Sequence, residues 1–214
     1  MTWPPVEPSR LDGRYVALRT LEPDDADALF AAQDDTVWTY LSYGPWTSAA
    51  EYRAWVEANA IGWTDPWFLT VLVEGEPRGV VSYLRMDEGN GVAEIGHIWY
   101  APSIQRSRVT TEVTYLLAKH VFDDLGYRRL EWKCNAANAR SRAAAERFGF
   151  TYEGTFRQHM WVKGANRDTA WYSMLDGEWP RIRAAFERWL DPANFDEDGG
   201  QRSALNASSA STNA

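Results

Sequence analysis

Along the chain the apolar positions switch between two periods. Arg14–Thr20 sets Tyr15, Ala17 and Arg19 against Val16, Leu18 and Thr20, the alternation of a strand. Pro23-Asp24-Asp25 places a proline and two acids where a helix takes its first turn, so a helix is predicted over Ala26–Gln33. Ser48-Ala49-Ala50-Glu51 is a capping-box pattern that predicts a second helix over Ala49–Ala60. Between the two lies an aromatic loop from Val37 to Trp46. Trp67–Val73, Gly79–Arg85 and Val92–Tyr100 are strand-like and joined by short turns, which predicts an antiparallel meander. In Thr110–Asp124 the apolar residues Val113, Leu116, Leu117 and Val121 recur at helical spacing, and Leu125-Gly126 ends the run. Arg129–Lys133 reads as a short strand, Ala139–Phe148 as an Ala- and Arg-rich helix closed by Gly149, Thr151–Gln158 and Asp168–Met174 as two strands, and Trp179–Leu190 as a terminal helix.

This order predicts one α+β domain over residues 11–190, a mostly antiparallel, mixed and twisted sheet of about seven strands flanked by helices. Three prolines make residues 1–10 an extended arm, and residues 191–214 turn polar, which predicts a disordered tail. There is no internal repeat.

Composition narrows the function classes. With 214 residues, 45 % hydrophobic and 24 % charged, the chain can bury a sizeable core. A formal net charge of −8 disfavours nucleic acid as a partner and suits a cationic acceptor such as an amine. The single cysteine, Cys134, rules out a disulfide framework within the chain. Neither a secretory signal nor an apolar run of bilayer length is visible, so the expected setting is cytoplasmic and away from the membrane. No His/Cys/Asp cluster has metal-ligand spacing. Twelve tryptophans serve a core, a substrate pocket, or both.

Four segments carry a family resemblance: Ala93-Glu94-Ile95-Gly96-His97-Ile98; Gln105 through Glu112; Asn138-Ala139-Arg140-Ser141; and Arg147-Phe148-Gly149-Phe150-Thr151-Tyr152-Glu153-Gly154. In order and spacing the chain resembles the GNAT N-acetyltransferases, and within them the ribosomal-protein N-terminal (RimJ/RimL-like) branch. The resemblance spans roughly residues 11–190. It implies an acyl-CoA N-acyltransferase with a splayed strand pair, acetyl-CoA as donor, and a primary amine as acceptor, on a protein N-terminus or a small molecule. It further implies a monomer or homodimer.

The resemblance also implies residue roles. Ile98, Trp99 and Tyr100 would offer backbone donors to the pantetheine arm, with Leu130–Cys134 as the other wall. Gln105, Arg106, Ser107, Arg108, Val109 and Thr110 would form the pyrophosphate loop. Its usual glycines are replaced here by Arg108 and Thr110, so helix-terminal amides and arginines take over the anion. Asn138 would bond the pantetheine amide and Ser141 would protonate the leaving thiolate; capping of the helix is the other reading of both. Glu94 is the candidate general base through a water, or else a structural ion pair. His97 is the competing base, placed on the opposite face if the strand is regular. Trp38, Tyr40, His97 and Asp168 are expected to contact the acceptor, with Asp168 alternatively starting a strand or pairing with Arg167. A non-catalytic acyl-CoA-binding module, or an enzyme using succinyl-CoA or another acyl-CoA, are the alternatives to an acetyltransferase.

Overall fold

The computed structural model describes residues 2–205 and 207. The first strand pattern shortens to Ala17–Thr20 and acquires an unexpected partner, Arg10–Asp12. These are β2 and β1. They form a hairpin with Arg10 opposite Arg19. The remaining strands are β3 (Trp67–Val73), β4 (Glu76–Asp87), β5 (Val92–Tyr100), β6 (Arg129–Asn135), β7 (Thr151–Val162) and β8 (Ala165–Leu175). The sheet therefore has eight strands, in the order β1-β2-β3-β4-β5-β6-β8-β7, where about seven were expected. The sequence hides β1 because three residues with one apolar side chain carry no alternation. All neighbours are antiparallel except β5 and β6.

Among the described residues five α-helices flank the sheet: α1 (Ala26–Ala32), α2 (Ala49–Asn59), α3 (Arg108–Lys119), α4 (Ala139–Arg147) and α5 (Trp179–Leu190). The α2 cap forms as its sequence predicts, with Ser48 Oγ accepting from Glu51 N at 3.2 Å. The end of the predicted third helix, His120–Asp124, is a π-turn continuing α3.

Two apolar layers follow from strand alternation. One face of the sheet carries Val81, Tyr83, Ala93, Ile95, Leu130, Cys134, Ala170, Tyr172 and Met174, which pack against α3 and α5 in the larger core. The other carries Phe68, Val80 and Trp99 into a smaller, aromatic core with α1, α2 and the loop between them.

The polar tail departs from its expected disorder as far as it is described. Phe195 packs edge-on against Trp189 at 5.1 Å, and Leu205 and Ala207 are buried. Sparse apolar residues suffice because the segment lies on α5 and needs no core of its own. Asn206 and residues 208–214 fall outside the described residues.

Candidate active site

The parallel pairing of β5 with β6 runs from Val92↔Arg129 to Ile95↔Trp132 and stops there. Both strands continue. Trp99 and Tyr100 stay paired to Val80 and Gly79 of β4, while Lys133, Cys134 and Asn135 stay paired to Trp171, Ala170 and Thr169 of β8. Two well-supported strands thus part, and their facing edges lack a strand partner. Ala101 N donates to Arg78 O at 2.8 Å, so by alternation the peptide groups of Tyr100 face the opening. The Tyr100 carbonyl accepts from Gln105 Nε2 at 2.9 Å, leaving its N–H on the same side. At Gly79 the two strands approach so closely that a Cβ would lie 2.5 Å from Trp99 O, which fixes glycine at that position.

A bulge sits beside the opening. Val80↔Trp99 and Ser82↔Gly96 enclose one extra residue on β5, and His97 takes φ of +51°. The inserted residue reverses the parity of the strand. Ala93 and Ile95 face the larger core, and beyond the bulge Ile98 and Tyr100 do so instead. Trp99 enters the smaller core, and the His97 ring lies on Phe68 at 5.1 Å and on Tyr43 at 5.6 Å. His97 therefore shares a face with Glu94, contrary to the regular-strand expectation.

On that face lies a chain of charges. Glu94 accepts from Lys133 Nζ at 2.7 Å and has Arg85 at 3.6 Å. Lys133 also meets Glu131 at 3.0 Å, and Arg129 joins Glu131 and Glu153. The structural ion pair considered for Glu94 is thus present. Burial still pushes the Glu94 carboxyl above its ordinary value, against the pull of Lys133. Burial, helped by the Arg167 guanidinium, holds the His97 imidazole down at about 4. Tyr43 Oη meets His97 Nδ1 at 3.2 Å.

The His97 shift makes stability depend on pH. Below about 6.5 the unfolded chain binds a proton that native His97 refuses until about pH 4. We predict a loss of roughly 3 kcal/mol as pH falls through that window. His97→Asn should remove that part of the loss in denaturant titrations; an unchanged acid limb would disprove the assignment.

The donor loop is held by its own side chains. Ser107 Oγ accepts from Val109 N at 3.2 Å and donates to Ile104 O at 2.6 Å, while Thr110 Oγ1 donates to Ser107 O. The left-handed residue is Arg106, with φ of +58°; Arg108 and Thr110, at the glycine positions, are already helical. Arg106 is exposed, whereas the Arg108 guanidinium lies over the rings of Tyr15 at 4.8 Å and Phe195 at 5.1 Å. Arg108 thus lies against two rings.

Asn138 caps α4, its Oδ1 accepting from Ser141 N at 3.1 Å, and its Nδ2 finds no acceptor among the described residues. Ser141 Oγ accepts from Trp132 Nε1 at 3.0 Å, which leaves its own O–H directed at the Cys134 sulfur. The neighbouring Cys134 thiol is pushed up by burial, against a hydrogen bond from Ser141. Tyr40 Oη donates to Ala137 O at 3.3 Å, tying the aromatic loop to the turn before Asn138.

Two expected acceptor contacts are placed otherwise. Trp38 is wholly buried between Tyr43, Trp46, Tyr52 and Trp99, because the loop folds inward on the smaller core; it backs the wall without lining it. Asp168 lies within β8 and accepts from Gln158 N at 2.7 Å and Asn166 Nδ2 at 2.9 Å, pinning the bulged β7–β8 hairpin. No ion pair joins it to Arg167. Sequence reasoning gave no individual role to Lys133, Trp132 or Trp171 and named Arg167 only as a possible partner of Asp168. The alternation Glu131, Lys133, Asn135 along β6 was the available signal for the first. Among the described residues no group of three or more His, Cys, Asp or Glu is arranged to hold a metal, and no helix is long and apolar enough to cross a membrane.

Comparison with known proteins agrees with this geometry. Residues 16–151 match the acetyltransferase (GNAT) domain family. YdaF of Bacillus subtilis (strain 168), whose name places it among ribosomal N-acetyltransferases, is 29 % identical over 77 % of this chain and 93 % of its own length. The ribosomal-protein-serine acetyltransferase of Escherichia coli (strain K12) is 30 % identical over 49 % of this chain and 58 % of its own. The crystal structure of a GCN5-related N-acetyltransferase from Brucella melitensis superposes with a TM-score of 0.93, at 44 % identity and 95 % coverage of each chain. With the family match covering more than half of its residues, the chain belongs to the acetyltransferase (GNAT) domain family and is an N-acetyltransferase of the kind that uses acetyl-CoA.

Proposed function

We propose that the chain acetylates the α-amine of a protein or peptide N-terminus by direct transfer from acetyl-CoA within the opening between β5 and β6. The observation that carries this reading is the end of pairing at Ile95↔Trp132 while both strands keep their outer partners. An extended arm fits such an opening as a pseudo-strand, with unpaired peptide groups such as the Tyr100 N–H offered to it. The acceptor side is the face of β5, β6 and β8 that carries Glu94, Lys133 and Trp171, with the aromatic loop tied beside it through Tyr40. Two of the relatives above carry ribosomal-protein acetylation in their names.

Acetyl-CoA supplies the thioester carbon that the amine attacks. At the far end of the donor, the first turn of α3 presents free amides and the positive end of its dipole, with exposed Arg106 beside them. Gln105, Ser107, Val109 and Thr110 shape that turn, and Asn138 Nδ2 is left to donate to the arm. Glu94 takes the ammonium proton through water. Its proton affinity moves up toward neutrality, while that of His97 moves down and away, so Glu94 is the better matched base. Ser141 relays a proton to the departing thiolate and takes one back from water, so the hydroxyl is restored at the end of the step. Cys134 stays a thiol, as direct transfer requires.

The test is release of CoA thiol from acetyl-CoA with short ribosomal-protein N-terminal peptides, the same peptides N-terminally blocked, and small amines. Turnover confined to free N-termini is expected. Turnover with small amines and none with any free peptide would overturn the acceptor assignment. Succinyl-CoA in parallel decides the acyl group.

A further inference from the structure

Most of the charged side chains on the acceptor face are paired with one another. Arg85, Lys133 and Arg129 are matched by Glu94, Glu131 and Glu153 through the contacts given above. Arg167 stands apart. It is about half-buried, makes no hydrogen bond or ion pair among the described residues, and its Nε is fully shielded with no acceptor. Burial accordingly lowers its proton affinity, with opposing pulls from Cys134 and Glu94.

Position links Arg167 to the site. Ala170, Tyr172 and Met174 of β8 face the larger core, so Arg167, Thr169 and Trp171 point to the face shared by Glu94, Lys133 and His97. Its charge reaches His97, whose proton affinity it depresses. Trp171 supplies a second orphan: its Nε1 is buried without an acceptor, although Lys133 Nζ lies 3.5 Å from its ring centroid and Arg85 stacks at 5.8 Å. The neighbouring acid offers no relief, since Asp168 is engaged on the β7 bulge. Two unsatisfied donors, one of them on an unpaired guanidinium, beside a base and an opening for the thioester, call for an anion. The coenzyme phosphates do not meet the need, because α3 lies across the sheet in the larger core.

We propose that Arg167, with the Trp171 indole, forms a carboxylate subsite of the acceptor groove, so that the preferred acceptor bears a carboxylate close to its reacting amine. This rests on the acceptor reading above and narrows it. A guanidinium fork matches the two oxygens of a carboxylate. The same cation disfavours an ammonium beside it and so helps deliver the amine in its neutral, nucleophilic form. Two sources share the chemistry: an acidic second residue of a peptide, and the α-carboxylate of a free amino acid.

The experiment uses the full chain saturated with CoA for binding and with acetyl-CoA for turnover. Its acceptors are a seryl-aspartyl tetrapeptide, the seryl-asparaginyl counterpart, free serine and serine amide. The wild type should bind one carboxylate-bearing member at least about tenfold more tightly than its amide partner, chiefly as a difference in KM with kcat little changed. The peptide pair and the amino-acid pair tell the two sources apart. Arg167→Gln should abolish the preference with CoA affinity unchanged, and Arg167→Lys should retain part of it; circular dichroism checks that both fold. Equal binding of acid and amide in the wild type, binding of neither, or a preference surviving in Arg167→Gln would overturn the inference. A carboxylate preference in binding without thiol release from the peptides would leave the subsite standing and overturn the peptide-acceptor reading instead.

Discussion

Glu94→Gln should lower kcat by about a hundredfold at neutral pH while CoA affinity stays within about twofold. General-base assistance contributes at least about that factor, and glutamine keeps the volume and the hydrogen bond to Lys133 while losing the lone pair that takes the proton. In the proposed pose the donor runs along the opening and beyond it to α3, so its binding has no cause to change. The pH profile adds a second readout. Wild-type activity should rise as Glu94 ionises, at a pH above the ordinary glutamate range because burial raises its proton affinity. In Lys133→Met the ammonium that favours the ionised form is gone, so the rising limb should move to still higher pH. Pre-steady-state thiol release across pH measures both. A Glu94→Gln enzyme with wild-type turnover at every pH would remove Glu94 from the chemistry and leave it as the structural partner of Lys133.

Trp38→Ala should cost about 3–5 kcal/mol of stability, a large share of the whole for a domain of this size. The side chain is wholly enclosed, and its ring meets Tyr43, Trp46, Tyr52 and Trp99 at centroid distances of 5.9, 6.5, 6.0 and 5.4 Å. Its indole donates to Gln33 Oε1 at 2.5 Å, and its carbonyl accepts from Lys163 Nζ at 2.8 Å at the tip of the β7–β8 hairpin. Removing the ring opens a cavity in the smaller core and orphans the Gln33 acceptor. Urea titration measures the loss. Because the cavity lies behind Trp99 and Tyr43, acceptor KM should rise more than CoA affinity falls. A cost under about 1 kcal/mol would show that the aromatic loop does not close this core and would return Trp38 to the role of a surface contact.

Most of the architecture was legible in the sequence because its signals are local. Short strand-like runs bounded by turns mark β3 to β6, the Ser48 cap starts α2, and the order of the Glu94, Gln105 and Asn138 segments brought the family and its parted strands into view. What stayed hidden depends on partners remote in sequence. The single apolar residue of β1 has no pattern until β2 lies beside it. Trp38 reads as a loop aromatic until α1 and α2 close around it. The tail looked too polar to pack, and Leu205 and Ala207 are buried in the larger core all the same. In the site, Glu94, Asn138 and Ser141 could be named from motifs. Arg167 and Trp171 could not, because being unpaired is a property of surroundings and not of a residue's type.

The extra residue at His97 has a practical consequence for anyone redesigning this enzyme. Counting every second position along β5 from Glu94 would lead a mutagenesis library aimed at the acceptor to Ile98 and Tyr100. Those side chains look toward the larger core. Beyond the kink, diversity intended for the incoming amine belongs at His97 and behind it at Trp99. A library built on the wrong count would loosen packing on the donor side and leave selectivity untouched.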